Sequence, residues 1–174
     1  YGGYAALIVL PFVISFVMYS SYEEKEDPCE FVLLQPNIEP YQDKFNFLSR
    51  NQQDDILFNL AQKGVTPNTR FMIGPETFTW HINEDNPYTL STVKRMKMFV
   101  DEHPNTDFIL GAVTMKRYQT RNAPTSTAKK GRGYWYDTFN ASVHMDTSGK
   151  CEFFHKSKLV VLTEFIPYPK LLAP

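Results

Sequence analysis

Cysteine is scarce in this chain: Cys29 and Cys151 are the two in 174 residues, and neither belongs to a CxxC pair or a Cys/His spacing. That removes the zinc folds recognised by such spacings. It leaves room for at most one disulfide, which would need an oxidising compartment to persist. An excess of charge of one sign is lacking too. Eighteen Lys and Arg stand against nineteen Asp and Glu, for a net charge of -1. The cations are spread along the chain, so no concentrated basic face marks a nucleic-acid binder. No internal repeat divides the sequence, and its length suits one domain of ordinary size with a short appendage. Tyr1 is not an initiator Met and the chain stops at Leu172-Ala173-Pro174, so both ends read as cut. Aromatics, by contrast, are plentiful, with fourteen Phe and ten Tyr. They fill a core or line a groove for an apolar ligand.

Charge is absent from residues 1–22. A helix of that length spans about 33 Å, enough to cross a hydrocarbon core. Tyr1 and Tyr4 at one end and Tyr19 and Tyr22 at the other sit where interfacial aromatics belong. Pro11 lies mid-span, where it would kink a helix in a way membranes tolerate. A signal peptide would need a basic n-region, and residues 1–4 carry no Lys or Arg. The expectation is a transmembrane helix over 1–22, then a linker over 23–30. The linker is acidic (Glu23-Glu24-Lys25-Glu26-Asp27), and cytoplasmic flanks favour Lys and Arg, so this one points to the outer side.

Residues 31–174 read as an alternating α/β domain with a mixed sheet. Buried strands are expected at 31–35 and 70–74, each ended by a proline, Pro36 and Pro75. Helices are expected at 43–63, with Phe47, Leu48, Ile56, Leu57 and Leu60 near one face, and at 89–102, with Leu90, Val93, Met96 and Phe99 three apart. A third strand spans 107–115. Residues 116–133 carry Lys116, Arg117, Arg121, Lys129, Lys130 and Arg132 without one acid and without an apolar period. That reads as a long loop, either solvated or in contact with anionic lipid headgroups. Strands at 135–145 and 151–154 flank Asp146-Thr147-Ser148-Gly149 as a hairpin.

Three places carry chemistry. Pro75-Glu76-Thr77 follows directly on a buried strand, where a carboxylate can serve as a general base or simply as a cap or solvated residue. Phe154-His155-Lys156-Ser157-Lys158-Leu159-Val160 holds two lysines, surface residues unless one turns inward to face a developing oxyanion. Glu164 stands eight residues after Lys156, within Thr163-Glu164-Phe165-Ile166-Pro167.

In order and context these segments resemble the apolipoprotein N-acyltransferases, a membrane branch of the nitrilase superfamily. Leu34-Gln35-Pro36-Asn37-Ile38 is similar to the family's opening VQGNI strand, and Gly74-Pro75-Glu76-Thr77 to its WPET segment. Residues 136–141 resemble its YNS region, with the D-x-x-G hairpin of residues 146–149 after it. His155 to Val160 resembles its YxKxHLVPFGE stretch, with Glu164 at the family's glutamate. The resemblance runs from the membrane helix to Pro169. Two departures stand out: Val161-Leu162-Thr163 replaces the turn before the second glutamate, and Phe45 stands where a tryptophan is often found.

The resemblance implies a nitrilase-like four-layer α-β-β-α sandwich, incomplete here, between membrane helices of a bacterial inner membrane and facing the periplasm. It implies a Glu-Lys-Cys triad, with Glu76 as general base, Lys156 as oxyanion-stabilising lysine and Glu164 as supporting glutamate. The family's cysteine lies beyond the lysine motif, past residue 174, and neither Cys29 nor Cys151 matches its position. The chain by itself is therefore expected to be inactive. The spacing to Glu164 favours Lys156, while a shift of two would select Lys158. The implied reaction moves an acyl chain from a phospholipid donor, through a cysteine thioester, to the N-terminal amine of an apolipoprotein acceptor. No metal or organic cofactor is implied. Two other readings stay open: a membrane-anchored nitrilase-type amidase using the same pair, and a non-catalytic domain that binds lipid or lipoprotein.

Overall fold

The computed structural model describes residues 2–39, 48–158 and 160. Helix α1, Gly2–Ser21, contains Pro11 and is exposed along its whole length. It is 20 residues long and apolar enough to cross a membrane. The remainder is a mixed α/β unit, in which two helices and a sheet enclose one apolar core.

The sheet has seven strands: β1 (Glu30–Leu33), β2 (Thr69–Ile73), β3 (Thr79–Asn83), β4 (Asp107–Tyr118), β5 (Lys129–Lys130), β6 (Trp135–Met145) and β7 (Cys151–His155). β1, β2 and β4 run parallel, and β6 returns antiparallel to β4 over eleven residue pairs. β2 and β3 share one edge of β4: β2 pairs with residues 107–109 and β3 with residues 112–115. They are two halves of one interrupted strand. β7 and β5 likewise divide the far edge of β6 between them.

Sequence reading missed β3. Its Thr-Trp-His-Ile-Asn run alternates polar and apolar residues over only five positions, and the regular strand is broken at His81, which has φ 69° where the register with β4 slips between Trp80 and Ile82. The expected loop over 116–133 is corrected in part. β4 continues to Tyr118 and the two residues of β5 pair with Trp135 and Tyr136, while residues 119–128 and 131–133 lie outside the strands, as expected of a loop. Cross-strand pairing with β6, which no local pattern announces, extends β4 through charged residues.

Helix α2 is Arg50–Gly64, later than the expected start at 43; residues 40–47, with Phe45 and Phe47, lie outside the described residues. Ser49 caps it. The Ser49 hydroxyl accepts from the Gln52 backbone at 3.3 Å while the Gln52 side chain accepts from the Ser49 backbone at 2.9 Å, which satisfies orphan donors of the first turn. The buried face is Gln53, Asp54, Leu57, Phe58 and Ala61, so Ile56 and Leu60 lie to its side. Helix α3, Ser91–Glu102, follows a 3-10 turn at Pro87–Thr89 and buries Val93, Met96, Phe99 and Val100. Both helices cover the face of β4 that carries Phe108, Leu110 and Ala112.

Asp54 is wholly buried in that core, where both its oxygens accept from the Thr92 hydroxyl at 3.0 Å. Burial pushes its carboxyl up, against the pull of the Thr92 hydrogen bond and the Arg95 and Arg50 charges. A raised carboxyl lends stability that is complete below the ordinary carboxylate range and is lost as pH rises through the raised value. Asp54→Asn keeps an acceptor for Thr92 but cannot ionise. Its Tm relative to the unsubstituted chain should therefore climb with pH from the acid side to neutrality. Each tenfold difference in proton affinity is worth about 1.4 kcal/mol. A Tm difference that is constant across the pH range would show that Asp54 does not titrate in this way.

Candidate active site

Between the two halves of the interrupted strand the chain has to leave the ladder. Ile73 pairs with Ile109 and Thr79 with Ala112, so five residues, 74–78, stand opposite only two. The surplus bulges outward. Gly74 N–H still donates to the Ile109 carbonyl (2.8 Å), Gly111 N–H donates to the Pro75 carbonyl (3.1 Å), and Phe78 N–H donates to the Gly111 carbonyl (2.8 Å). These bonds pin both ends of the bulge and leave Glu76 at its crest. Thr77, at φ 51°, takes the left-handed conformation that turns the chain back.

The bulge crosses directly over Gly111. A Cβ there would lie 2.5 Å from the Glu76 Cα, 2.6 Å from the Pro75 oxygen and 2.7 Å from the Thr77 nitrogen. Only a residue without a side chain permits that approach.

Lys156 comes to Glu76 from the other side of the sheet. β7 ends at His155, and Lys156 N–H donates to the Asn140 carbonyl at 2.8 Å. The Lys156 ammonium then donates to Glu76 Oε1 at 3.2 Å, and the Asn140 side-chain amide donates to the same oxygen at 2.9 Å. An ionised carboxylate only accepts hydrogen bonds, and both partners are donors. The side chains of Glu76 and Lys156 are 67% and 32% exposed, so the pair adds little to stability. Its interest is positional: a proton acceptor and a cation meet at one oxygen.

The end of β7 is clamped. The His155 ring stacks on Phe139 with centroids 3.8 Å apart and planes 5° apart, and its Nε2 lies 2.6 Å from Glu84 Oε1. The same Glu84 oxygen accepts from the Thr114 hydroxyl at 2.6 Å. This ties β7 to β4 and to the residue that follows β3, immediately beside Lys156. On the other flank of Glu76 a cavity of about 250 Å³ is lined by Leu34, Gln35, Asn37, Ile38, Pro75 and Phe78 among others. The Gln35-Pro36-Asn37-Ile38 and Pro75-Glu76 segments, forty residues apart in sequence, thus wall one hollow.

The structure therefore brings Glu76 and Lys156 together, and Lys156 rather than Lys158 makes the contact; Lys158 is exposed. Glu164 lies outside the described residues. Sequence reading gave Asn140 no role, although it lies in the 136–141 segment that carried part of the resemblance. The signal was available there, without the fold that sets Asn140 beside Glu76. Both cysteines are free thiols, and both lie toward the other end of the sheet. Cys151 opens β7, five residues before Lys156, or about 16 Å along the strand. Burial pushes its thiol up, only partly offset by the hydrogen bond with Tyr88, which makes it a poor nucleophile. Cys29 precedes β1, at the opposite end from the Gln35–Ile38 wall of the cavity. Among the described residues no group of His, Cys, Asp and Glu could hold a metal ion.

No protein-family model matches the chain, and no curated protein matches it either.

Proposed function

We propose that Glu76 and Lys156 are the base and the oxyanion-stabilising lysine of a membrane-tethered acyltransferase of the nitrilase type. The observation that carries this reading is the meeting of the two side chains, with Asn140, at one carboxylate oxygen. The apolar helix Gly2–Ser21 supports a membrane setting, and the acidic linker after it supports a periplasmic one. The nitrilase-like four-layer sandwich is part of the same reading. The face of the sheet turned away from α2 and α3 carries Phe31, Leu33 and Phe154, which are 55%, 67% and 58% exposed. Such a face suits a second sheet packed against it.

In this scheme Glu76 accepts the proton of a cysteine thiol supplied downstream of Lys156, and the thiolate attacks the ester carbonyl of a phospholipid. Lys156 faces the oxyanion of the tetrahedral intermediate. Collapse breaks the ester C–O bond, and the departing lysophospholipid oxygen takes the proton back from Glu76. The N-terminal amine of a lipoprotein then attacks the thioester, gives its proton to Glu76, and the thiolate leaves and is reprotonated. An amidase acting on a soluble amide would use the same pair but has no need of the tether.

The test is to incubate the intact enzyme with a phospholipid carrying a labelled acyl chain and map the acylated residue by mass spectrometry. The expected result is a hydroxylamine-labile thioester on a cysteine downstream of Lys156, and none in a polypeptide of residues 1–174. Acylation of Cys29 or Cys151 would overturn the assignment. Turnover of soluble amides without any lipid-derived thioester would favour the amidase.

A further inference from the structure

We infer that the far end of the β4–β6–β5 ribbon is a docking surface for the anionic bilayer that holds the chain's own apolar helix. This rests on the membrane-tether part of the proposed function and not on acyl transfer. β4 and β6 extend past the Glu76 bulge, and β5 joins them at the end. In one row Arg117, Tyr136 and Lys129 stand side by side, and in the next Tyr118, Trp135 and Lys130. Residues in a row share a face of the sheet and successive rows alternate, so both faces of the tip carry cations interleaved with aromatic rings. The Arg117 guanidinium lies 4.9 Å from the centre of the Tyr134 ring, and Tyr134 packs 6.0 Å from Tyr136.

The tip is ordered from beneath. Asp137, nearly fully buried, accepts from the hydroxyls of Thr125 and Thr127 at 2.7 and 2.8 Å and fastens the β4–β5 connection. The Trp135 indole donates to the Arg121 carbonyl at 3.4 Å. Of the acids nearby, Asp137 is held by those threonines and Glu84 by His155 and Thr114, while the exposed Asp85 acts on the Tyr118 hydroxyl through its charge. Among the described residues no carboxylate forms an ion pair with the exposed cations of the tip. Exposed Lys and Arg with Trp and Tyr at the same level is the chemistry of a headgroup contact.

The tether restricts how the contact forms. Residues 22–29 link α1 to β1 and reach at most about 28 Å when fully extended. Glu30 enters at the level of Thr69, and Phe71 pairs with Asp107, so Tyr118 lies thirteen residues further along the strands, or about 43 Å. With the tip on the bilayer and the linker at full stretch, the strand axis inclines by no more than about 40° to the membrane plane. The sheet then lies along the membrane. Asn140 and the Glu76 oxygen it holds come five residues, or about 17 Å along β6, from Trp135. Docking the tip brings that hollow down to the lipid surface.

Trp135 is a built-in reporter, Trp80 being the other tryptophan. The full chain is reconstituted through its helix into phosphatidylcholine vesicles with or without phosphatidylglycerol, and flotation checks the tether. Quenching by lipids labelled at the headgroup level is then read, and the part lost in Trp135→Phe belongs to the tip. The expected result is quenching of Trp135 only with phosphatidylglycerol, abolished near 1 M salt, where the Debye length falls to about 3 Å. Lys129→Ser and Lys130→Ser should each lower the docked fraction relative to the undocked by about fivefold, with unchanged thermal unfolding. Equal quenching in neutral and anionic vesicles, or none lost in the lysine variants, overturns the proposal. A chain that does not float sinks the tether and the docking together. One that floats with Trp135 unquenched, or quenched only when an acidic polypeptide is added, sinks the docking alone.

Discussion

Glu76→Gln in the intact enzyme is expected to slow acyl-enzyme formation by about 10²–10⁴-fold, the usual contribution of a general base. The substitution keeps the volume of the side chain, and an amide oxygen can still accept from Asn140 and Lys156. What it removes is the capacity to take a thiol proton. Because the carboxylate is two-thirds exposed, its loss should leave unfolding nearly unchanged, so a fall in rate would not reflect a fall in folded protein. Lys156→Met should cost roughly 10²–10³-fold, the scale of removing one oxyanion donor. Lys158→Met should cost far less, since Lys158 is exposed and Lys156 is the lysine that reaches Glu76. The measurement is single-turnover thioester formation with a phospholipid donor, with thermal unfolding of each variant alongside. Near-normal acylation in Glu76→Gln would remove Glu76 from the mechanism. A larger loss in Lys158→Met than in Lys156→Met would move the lysine by two positions.

What the sequence made legible, and what it did not, follows the range of the interactions involved. The apolar helix, the strands at β1 and β2, the α3 face and the β6–β7 hairpin were all announced by local patterns. Each depends on a run of residues that settles its own conformation or its own burial. Glu76 and Lys156 were legible as candidates because short segments around them carried a resemblance. Their meeting was not legible, since it requires β4 and β6 to bring residues eighty apart in sequence within 3.2 Å. Asn140 escaped for the same reason. β3 and the extension of β4 through Lys116, Arg117 and Tyr118 were hidden because non-local pairing overrode polar composition. The early start expected for α2 ignored Ser49, whose capping box with Gln52 was readable in the sequence.

Gly111 was not singled out by any motif, yet its replacement by alanine is expected to do more than most core substitutions. The atoms its Cβ would meet at 2.5–2.7 Å are the backbone of residues 75–77, which cannot swing aside as a side-chain end does. Ordinary contact needs roughly another 1 Å, and forcing extra carbon into a packed place typically costs 1–3 kcal/mol, occasionally more. The sheet is held on both sides of Gly111, by pairing with Ser142 of β6 and by the hydrogen bonds to Pro75 and Phe78. The element free to give is the bulge. Its crest would lift, carrying Glu76 from Asn140 and Lys156, and a misplacement of about 1 Å can cost 10²-fold in rate. Gly111→Ala should therefore lower Tm by several degrees and slow acyl-enzyme formation by about 10²-fold in the protein that remains folded. Gly111→Val should be worse on both counts. The two effects separate by assaying well below Tm, where the folded fraction is complete. Full activity in a folded Gly111→Ala enzyme would mean that the height of the bulge over β4 does not set the position of the base.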